Sequence, residues 1–326
     1  MNIRTIIALT IMSSILSSTA IIAAAEVRGP EAEMIAFVRK GNIWVARLDG
    51  TGERCLTNFN DCGGPALSPD GKQVAFHSRA EKDRYPDTGF GQIYLVETAG
   101  GKPRRMKFEG ILAAEHPAFS PDGKNLVFVG LCEVRKQGKG REPQVFATMS
   151  VSIADIRTGK TRAVLSSKNT MLDAGYMYSN PAFSPDGQLI LWQDSGSDVS
   201  GGFAVTDLKG NTLFRFPSKG EDSTPYWRPS LATDGQTVLC YRPATSEPSE
   251  DMIYVINRKT GKMVAVTAGT SPAFVRNGTA IVFERWVNRW GAKPSSDIWI
   301  LELKPGAVPR RIINNAADPA GKMLRK

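Results

Sequence analysis

Short apolar runs alternate with turn-forming residues along most of this chain, and the alternation recurs. Val74-Ala75-Phe76, Leu126-Val127-Phe128, Leu189-Ile190-Leu191-Trp192, Val238-Leu239-Cys240-Tyr241 and Ala280-Ile281-Val282-Phe283 each stand shortly after a tight turn. Runs of this length, rich in β-branched and aromatic residues, read as strands. The turn is Pro-Asp-Gly in three copies, where Pro presets φ, Asp bonds its own backbone and Gly takes a positive φ. Another apolar run precedes each turn, so every unit opens with a hairpin. A third strand follows downstream, as in Ile93-Tyr94-Leu95-Val96 and Ile298-Trp299-Ile300-Leu301. A short Gly turn such as Thr158-Gly159-Lys160 leads from it to a fourth strand, here Thr161-Arg162-Ala163-Val164-Leu165. Four strands per repeat of this length define a propeller blade.

Five copies align on Pro65-Ala66-Leu67-Ser68-Pro69-Asp70-Gly71-Lys72, Pro117 to Lys124, Pro181 to Gln188, Pro229 to Gln236 and Pro272 to Thr279. Their leading prolines are 52, 64, 48 and 43 residues apart. Met34–Val38, Ile43–Ala46 and Glu53–Thr57 supply a second, third and fourth strand with no first. The tail, Asn314 to Lys326, carries Asp318-Pro319-Ala320-Gly321-Lys322, a blurred echo of the repeat's turn. The expectation is an all-β, six-bladed propeller of four-stranded blades, its ring closed by the C-terminal tail pairing with the N-terminal blade. Closure removes the unpaired sheet edges that an open ring would leave.

The repeated Pro-Ala-Phe-Ser-Pro-Asp-Gly-Lys block resembles the WD-like repeats of the TolB-type six-bladed propeller, over about residues 31–326. The resemblance implies the fold and little about function, since the motif residues make turns and cores. TolB itself carries an N-terminal α/β domain, and prolyl-oligopeptidase-type peptidases add an α/β-hydrolase domain to a similar propeller. Neither has a counterpart in this sequence, so neither the Tol-system role nor peptidase activity is implied.

The first residues have another character. Arg4, a mostly apolar stretch from Ile6 to Ile22 and Ala23-Ala24-Ala25 compose a secretory signal peptide. The expected division is a signal peptide over 1–25, cleaved near Ala25, and one propeller domain over 26–326, periplasmic or secreted. Export changes how the four cysteines read. Cys55 and Cys62 flank a turn-rich stretch and are candidates for a local disulfide; Cys132 and Cys240 are far apart, Cys240 inside a strand-like run that suits a buried free thiol, and the pairing of both stays open. The balance of 41 Lys+Arg against 32 Asp+Glu gives a net charge of +9. In an exported protein this points away from nucleic acid and toward acidic proteins or anionic polymers.

Catalytic material is sparse. The chain has 2 histidines, His77 and His116, too few for a multi-histidine metal site such as propeller-shaped pectate-type lyases use. No Gly-x-Ser-x-Gly elbow or phosphate loop is present. No cofactor is expected, although a channel-bound cation such as calcium remains compatible with the sequence.

Strand order separates two faces. Turns between first and second and between third and fourth strands share one face and are short. Loops between second and third strands (Arg79 to Gly91, Glu133 to Gln144, Asp194 to Gly202, Arg242 to Asp251, Arg285 to Ser296) and between blades (Ser166 to Asn180, Pro217 to Arg228) share the other. Binding residues concentrate on loops held by a rigid scaffold. The candidates there are Tyr85, Tyr176, Tyr178, Tyr226, Trp227, Trp286 and Trp290, with the cations Arg135, Lys136, Arg141, Arg228 and Arg289. His116 and Asn180 are expected at the channel mouth. The leading expectation is a non-catalytic, protein-binding scaffold that uses this face for an envelope or secreted partner of acidic character, without stable membrane insertion. The alternatives are a carbohydrate or envelope-polymer binder with Tyr226, Trp227, Trp286 and Trp290 as stacking platforms, or a hydrolase or lyase with a channel metal. Oligomeric state stays open.

Overall fold

The structure, a computed structural model, describes residues 33–80, 82–86, 88–138, 144–171, 177–196, 199–216, 226–244, 250–287 and 295–321. The expected signal peptide, Tyr176, Arg141, Arg289 and Trp290 lie outside the described residues. Among the described residues, twenty-four strands form six four-stranded antiparallel sheets. Blade 1 contains β1 (Met34–Arg39), β2 (Asn42–Arg47) and β3 (Arg54–Cys55). Blade 2 runs through β4 (Cys62–Leu67), β5 (Gln73–Ser78), β6 (Gln92–Glu97) and β7 (Arg104–Arg105). Blade 3 has β8 (Ala113–Phe119), β9 (Asn125–Gln137), β10 (Gln144–Asp155) and β11 (Thr161–Met171). Blade 4 has β12 (Met177–Phe183), β13 (Leu189–Gly196), β14 (Val199–Asp207) and β15 (Thr212–Phe216). Blade 5 has β16 (Trp227–Leu231), β17 (Thr237–Arg242), β18 (Met252–Asn257) and β19 (Met263–Ala268). Blade 6 has β20 (Thr270–Val275), β21 (Ala280–Trp286), β22 (Ser296–Glu302) and β23 (Arg310–Ile313). The last strand, β24 (Ala317–Ala320), returns to blade 1 and pairs with β1 through Ala36–Ala320 and Val38–Ala317.

The repeat motif builds the hairpin turns as its chemistry requires. In blade 2, Ser68 Oγ donates to Asp70 Oδ1 at 2.6 Å and accepts from Gln73 N at 2.9 Å, while Gly71 sits at φ 76°. The same bonds recur at Ser120–Asp122 and Ser184–Asp186. In the degenerate fourth copy, in blade 5, Asp234 instead takes the N–H and hydroxyl of Thr237.

Alternating side chains of each sheet meet those of the next blade. Phe76 and Val74 share a cluster with Ala36 and Val45, Phe128 and Leu126 with Ala75 and Leu95, and Val282 and Ile298 with Ile35 and Phe37. One such core lies at each blade interface, so the core is a ring of six patches. A buried Phe or Leu contributes about 2–3 kcal/mol, which makes these interfaces the main stabilising term.

Two expectations are corrected here. Much of the expected loop Glu133–Gln144 is strand, because β9 and β10 stay paired from Asn125–Asp155 out to Gln137–Gln144. Likewise β13 and β14 occupy most of Asp194–Gly202. The expected Cys55–Cys62 staple is absent, and both are free thiols. Cys55 is exposed on the outer strand of blade 1, with Sγ 3.1 Å from Thr57 O, whereas Cys62 is buried at the start of blade 2. The two side chains belong to different sheets.

Candidate site at the channel mouth

Each innermost strand carries, two to four residues into its length, a residue forced into the left-handed region directly before a proline. These are Gly64 (φ 55°), His116 (54°), Asn180 (46°), Arg228 (52°), Ser271 (48°) and Asp318 (54°). Positive φ is costly for every one of them except glycine. The proline offers no N–H to the ladder, and the register shifts at this point in all six sheets. The result is six β-bulges that re-aim one residue per blade at the axis. Below this ring lie the six prolines and then a layer of small residues: Ala66, Ala118, Ala182, Ser230, Ala273 and Ala320. Small side chains let six strands converge while leaving a cavity of about 190 Å³.

Side chains of the second strands stand behind the ring. The residue of each second strand paired just before the bulge is Val38, His77, Val129, Gln193, Tyr241 or Glu284. Blades 2, 4 and 6 therefore carry an acceptor there, and blades 1, 3 and 5 carry Val or Tyr. Each acceptor takes the ring N–H of the following blade. His116 N donates to His77 Nδ1 (3.4 Å), Arg228 N to Gln193 Oε1 (3.2 Å) and Asp318 N to Glu284 Oε2 (3.1 Å). The bulges free these backbone donors, and side chains of the neighbouring blade satisfy them.

Charge is concentrated at two places on the ring. Arg228 pairs with Asp318, whose other oxygen accepts from Gly64 N at 2.9 Å, so this carboxylate ties blades 1, 2 and 5 together. Glu284 behind it is buried, and burial raises its carboxyl above the ordinary range. On the blade 2–3 side, Arg79 forks onto Glu115 at 2.6 and 2.5 Å, and Gly91 N adds a third bond at 2.8 Å. Burial pushes the Glu115 carboxyl up, but these bonds and the nearby charges outweigh it and hold it at about 2. The His77 and His116 rings stand edge to face with centroids 5.2 Å apart. Burial lowers both imidazoles, and His116, with His77 beside it, falls to about 3. Both are neutral at pH 7, and His116 Nδ1 is buried without a partner among the described residues. Both Glu115 oxygens are taken by a guanidinium, and no group of three His, Cys, Asp or Glu among the described residues is arranged to hold a metal ion.

The structure brings together His116, Asn180 and Arg228, and adds Gly64, Ser271 and Asp318, which sequence reasoning did not assign to the site. The signal was present: all six precede the leading proline of a repeat, including the degenerate tail copy. Other candidates are placed elsewhere. Tyr226 is buried, packed edge-on against Phe216 at 5.2 Å, and offers no stacking platform. Tyr85 and Tyr178 pack on a small cluster around Leu131 and Met149. Trp227 is half-buried one residue before the ring, with its indole N–H lacking an acceptor among the described residues. Arg135 and Lys136 are exposed at the end of β9, Arg135 paired with Glu133. Trp286 is exposed at the end of β21.

Six blades around a polar mouth, each contributing one strained pre-proline residue, define a closed-ring propeller with a built axial site. The sequence profile described as the PD40, TolB beta propeller domain, matches residues 12–231, and the chain belongs to this family. TolB from Acinetobacter baumannii superposes with a TM-score of 0.64 at 21% identity, over 94% of this chain and 71% of that one. At that identity the likeness shows the fold alone. The "Uncharacterized peptidase YuxL" of Bacillus subtilis is 25% identical over 177 residues, 46% of this chain and 24% of that protein. Dipeptidyl-peptidase 5 of Porphyromonas gingivalis is 24% identical over 225 residues, 68% and 29% of the two chains. This chain thus spans only about a quarter of the length of the curated relatives it matches.

Proposed function

We propose that the protein is an exported, periplasmic binding module that performs no covalent chemistry and holds a protein partner on its long-loop face, with the channel mouth as the anchoring point. The observation that carries this reading is the ring of six pre-proline residues, one per blade, converging on a cavity. Strained backbone over-determined by its surroundings accumulates at functional sites. The ring presents a guanidinium, a carboxylate, an amide, a hydroxyl and a neutral imidazole on rigid strands. Such a set suits an extended peptide, which offers donors and acceptors along one edge. The peptidase names of two relatives stay with those proteins, because the match covers a minor part of each.

The test is affinity capture from the producer's envelope fraction, followed by titration of the captured protein in purified form. A paired variant, Arg228→Met with Asp318→Asn, keeps the shape of the ion pair and removes its charge. Retained melting temperature with at least a tenfold loss of affinity supports the mouth as anchor. Equal binding by both chains sinks it.

A further inference from the structure

The opposite face, with its short turns, carries a second pattern. The six outer strands, β3, β7, β11, β15, β19 and β23, contain no Asp or Glu. Arginine recurs on them, at Arg54, Arg104, Arg105, Arg162, Arg215, Arg310 and Arg311, of which Arg311 pairs with Asp297 at 3.1 Å. The turns leading into these strands add exposed lysines, among them Lys209, Lys262 and Lys304. Of the nearby acids, Glu302 pairs with Arg276, while Asp207, which accepts from Lys209 N and from the backbone and side chain of Asn211, keeps its charge and is outnumbered by the surrounding cations.

On blades 4 to 6, where the cations are Arg215, Arg310 and the three turn lysines, the shoulder also exposes apolar side chains. Leu213 is 56% exposed, Val264 50% and Val308 81%, and each stands at the start of an outer strand or in the turn before it. Lysine or arginine on an edge strand can serve simply to prevent edge-to-edge pairing. That role needs no exposed Leu or Val, and it is served by charge of either sign. Cations interleaved with protruding apolar side chains fit an interface that is anionic at its surface and apolar just beneath.

From this juxtaposition we infer that the turn-face shoulder of blades 4 to 6 docks on an anionic phospholipid surface, leaving the channel mouth directed away from it. Charge complementarity selects the partner, and the apolar tips favour a bilayer over a soluble polyanion. The inference stands apart from the proposed binding role, since it concerns the other face.

The experiment uses the full chain and two vesicle types, phosphatidylcholine alone and equal parts of phosphatidylcholine and phosphatidylglycerol. The readout is the excess partitioning onto the anionic vesicles, so that apolar binding through residues 1–32 cancels. The triple variant Lys209→Glu, Lys262→Glu, Lys304→Glu keeps edge protection and reverses the attraction. At roughly fivefold per cation, the excess should fall at least a hundredfold. Raised salt should abolish it in the parent chain. Val264→Ser with Val308→Ser should weaken binding severalfold with the charge unchanged. The inference is overturned if the parent shows no excess, if the triple-Glu variant binds equally, or if soluble polyglutamate competes as well as the anionic vesicles do, which would mark an acidic protein segment as the partner.

Discussion

His116 shows how burial tunes a single residue at the mouth. Its imidazole is disfavoured as a cation by burial and by His77 beside it, and Arg79 and Arg228 add to this. The folded-state pKa lies below the unfolded value of 6.5, so the contribution to stability is complete above pH 6.5 and is lost as pH falls below it. Between pH 6.5 and 5 the loss should be about 2 kcal/mol. Urea unfolding at both pH values checks this, and His116→Gln should flatten the dependence. Glu115 titrates in another window: its contribution is present above pH 4.5 and lost as pH falls toward 2. Arg79→Ala strands that buried carboxylate and should cost about 3 kcal/mol at pH 7, read as a lower urea midpoint. At Gly64 an added Cβ would lie 3.0 Å from His77 Nδ1, at φ 55°. Gly64→Ala therefore combines backbone strain with a clash and should lower the melting temperature, whereas Ser271→Gly should leave it level or raise it slightly. An unchanged melting temperature in Gly64→Ala would show that the bulge yields.

At the scale of elements, the hairpins and blades were readable because their determinants are local. A Ser-Pro-Asp-Gly turn needs only six consecutive residues to close its bonds, and strand faces follow from alternation. The ion pair at the mouth was not readable. Arg228 and Asp318 are 90 residues apart and meet only because β24 completes blade 1. Tyr226 was misplaced for a related reason, since an aromatic residue at a blade junction has the same local sequence whether it faces solvent or a neighbouring blade. Cys55 and Cys62 are close along the chain but separated by a blade boundary. The tail strand is the element with the largest expected effect. Asp318→Ala removes acceptors from Gly64 N and Arg228 together and should cost about 3 kcal/mol. A double-mutant cycle with Arg228→Met should return a coupling above 1 kcal/mol; additivity would show that the pair is energetically idle.

For the molecule as a whole, each described blade shares its core with both neighbours. A closed ring has no terminal repeat from which unfolding can start, unlike an open solenoid. Unfolding followed by circular dichroism and by tryptophan fluorescence should coincide in one transition. Deleting residues 317–326 should separate the two curves.

The ring's seam also sets how the protein answers to force. β24 and β1 run antiparallel, and Ala36 lies opposite Ala320, so the start of one strand sits beside the end of the other. A pull applied at Glu33 and Gly321 loads the ladder bonds one after another, as a zipper is opened, rather than all together in shear. The propeller should therefore yield at a low force through its ends and resist far more strongly when gripped across two opposite blades.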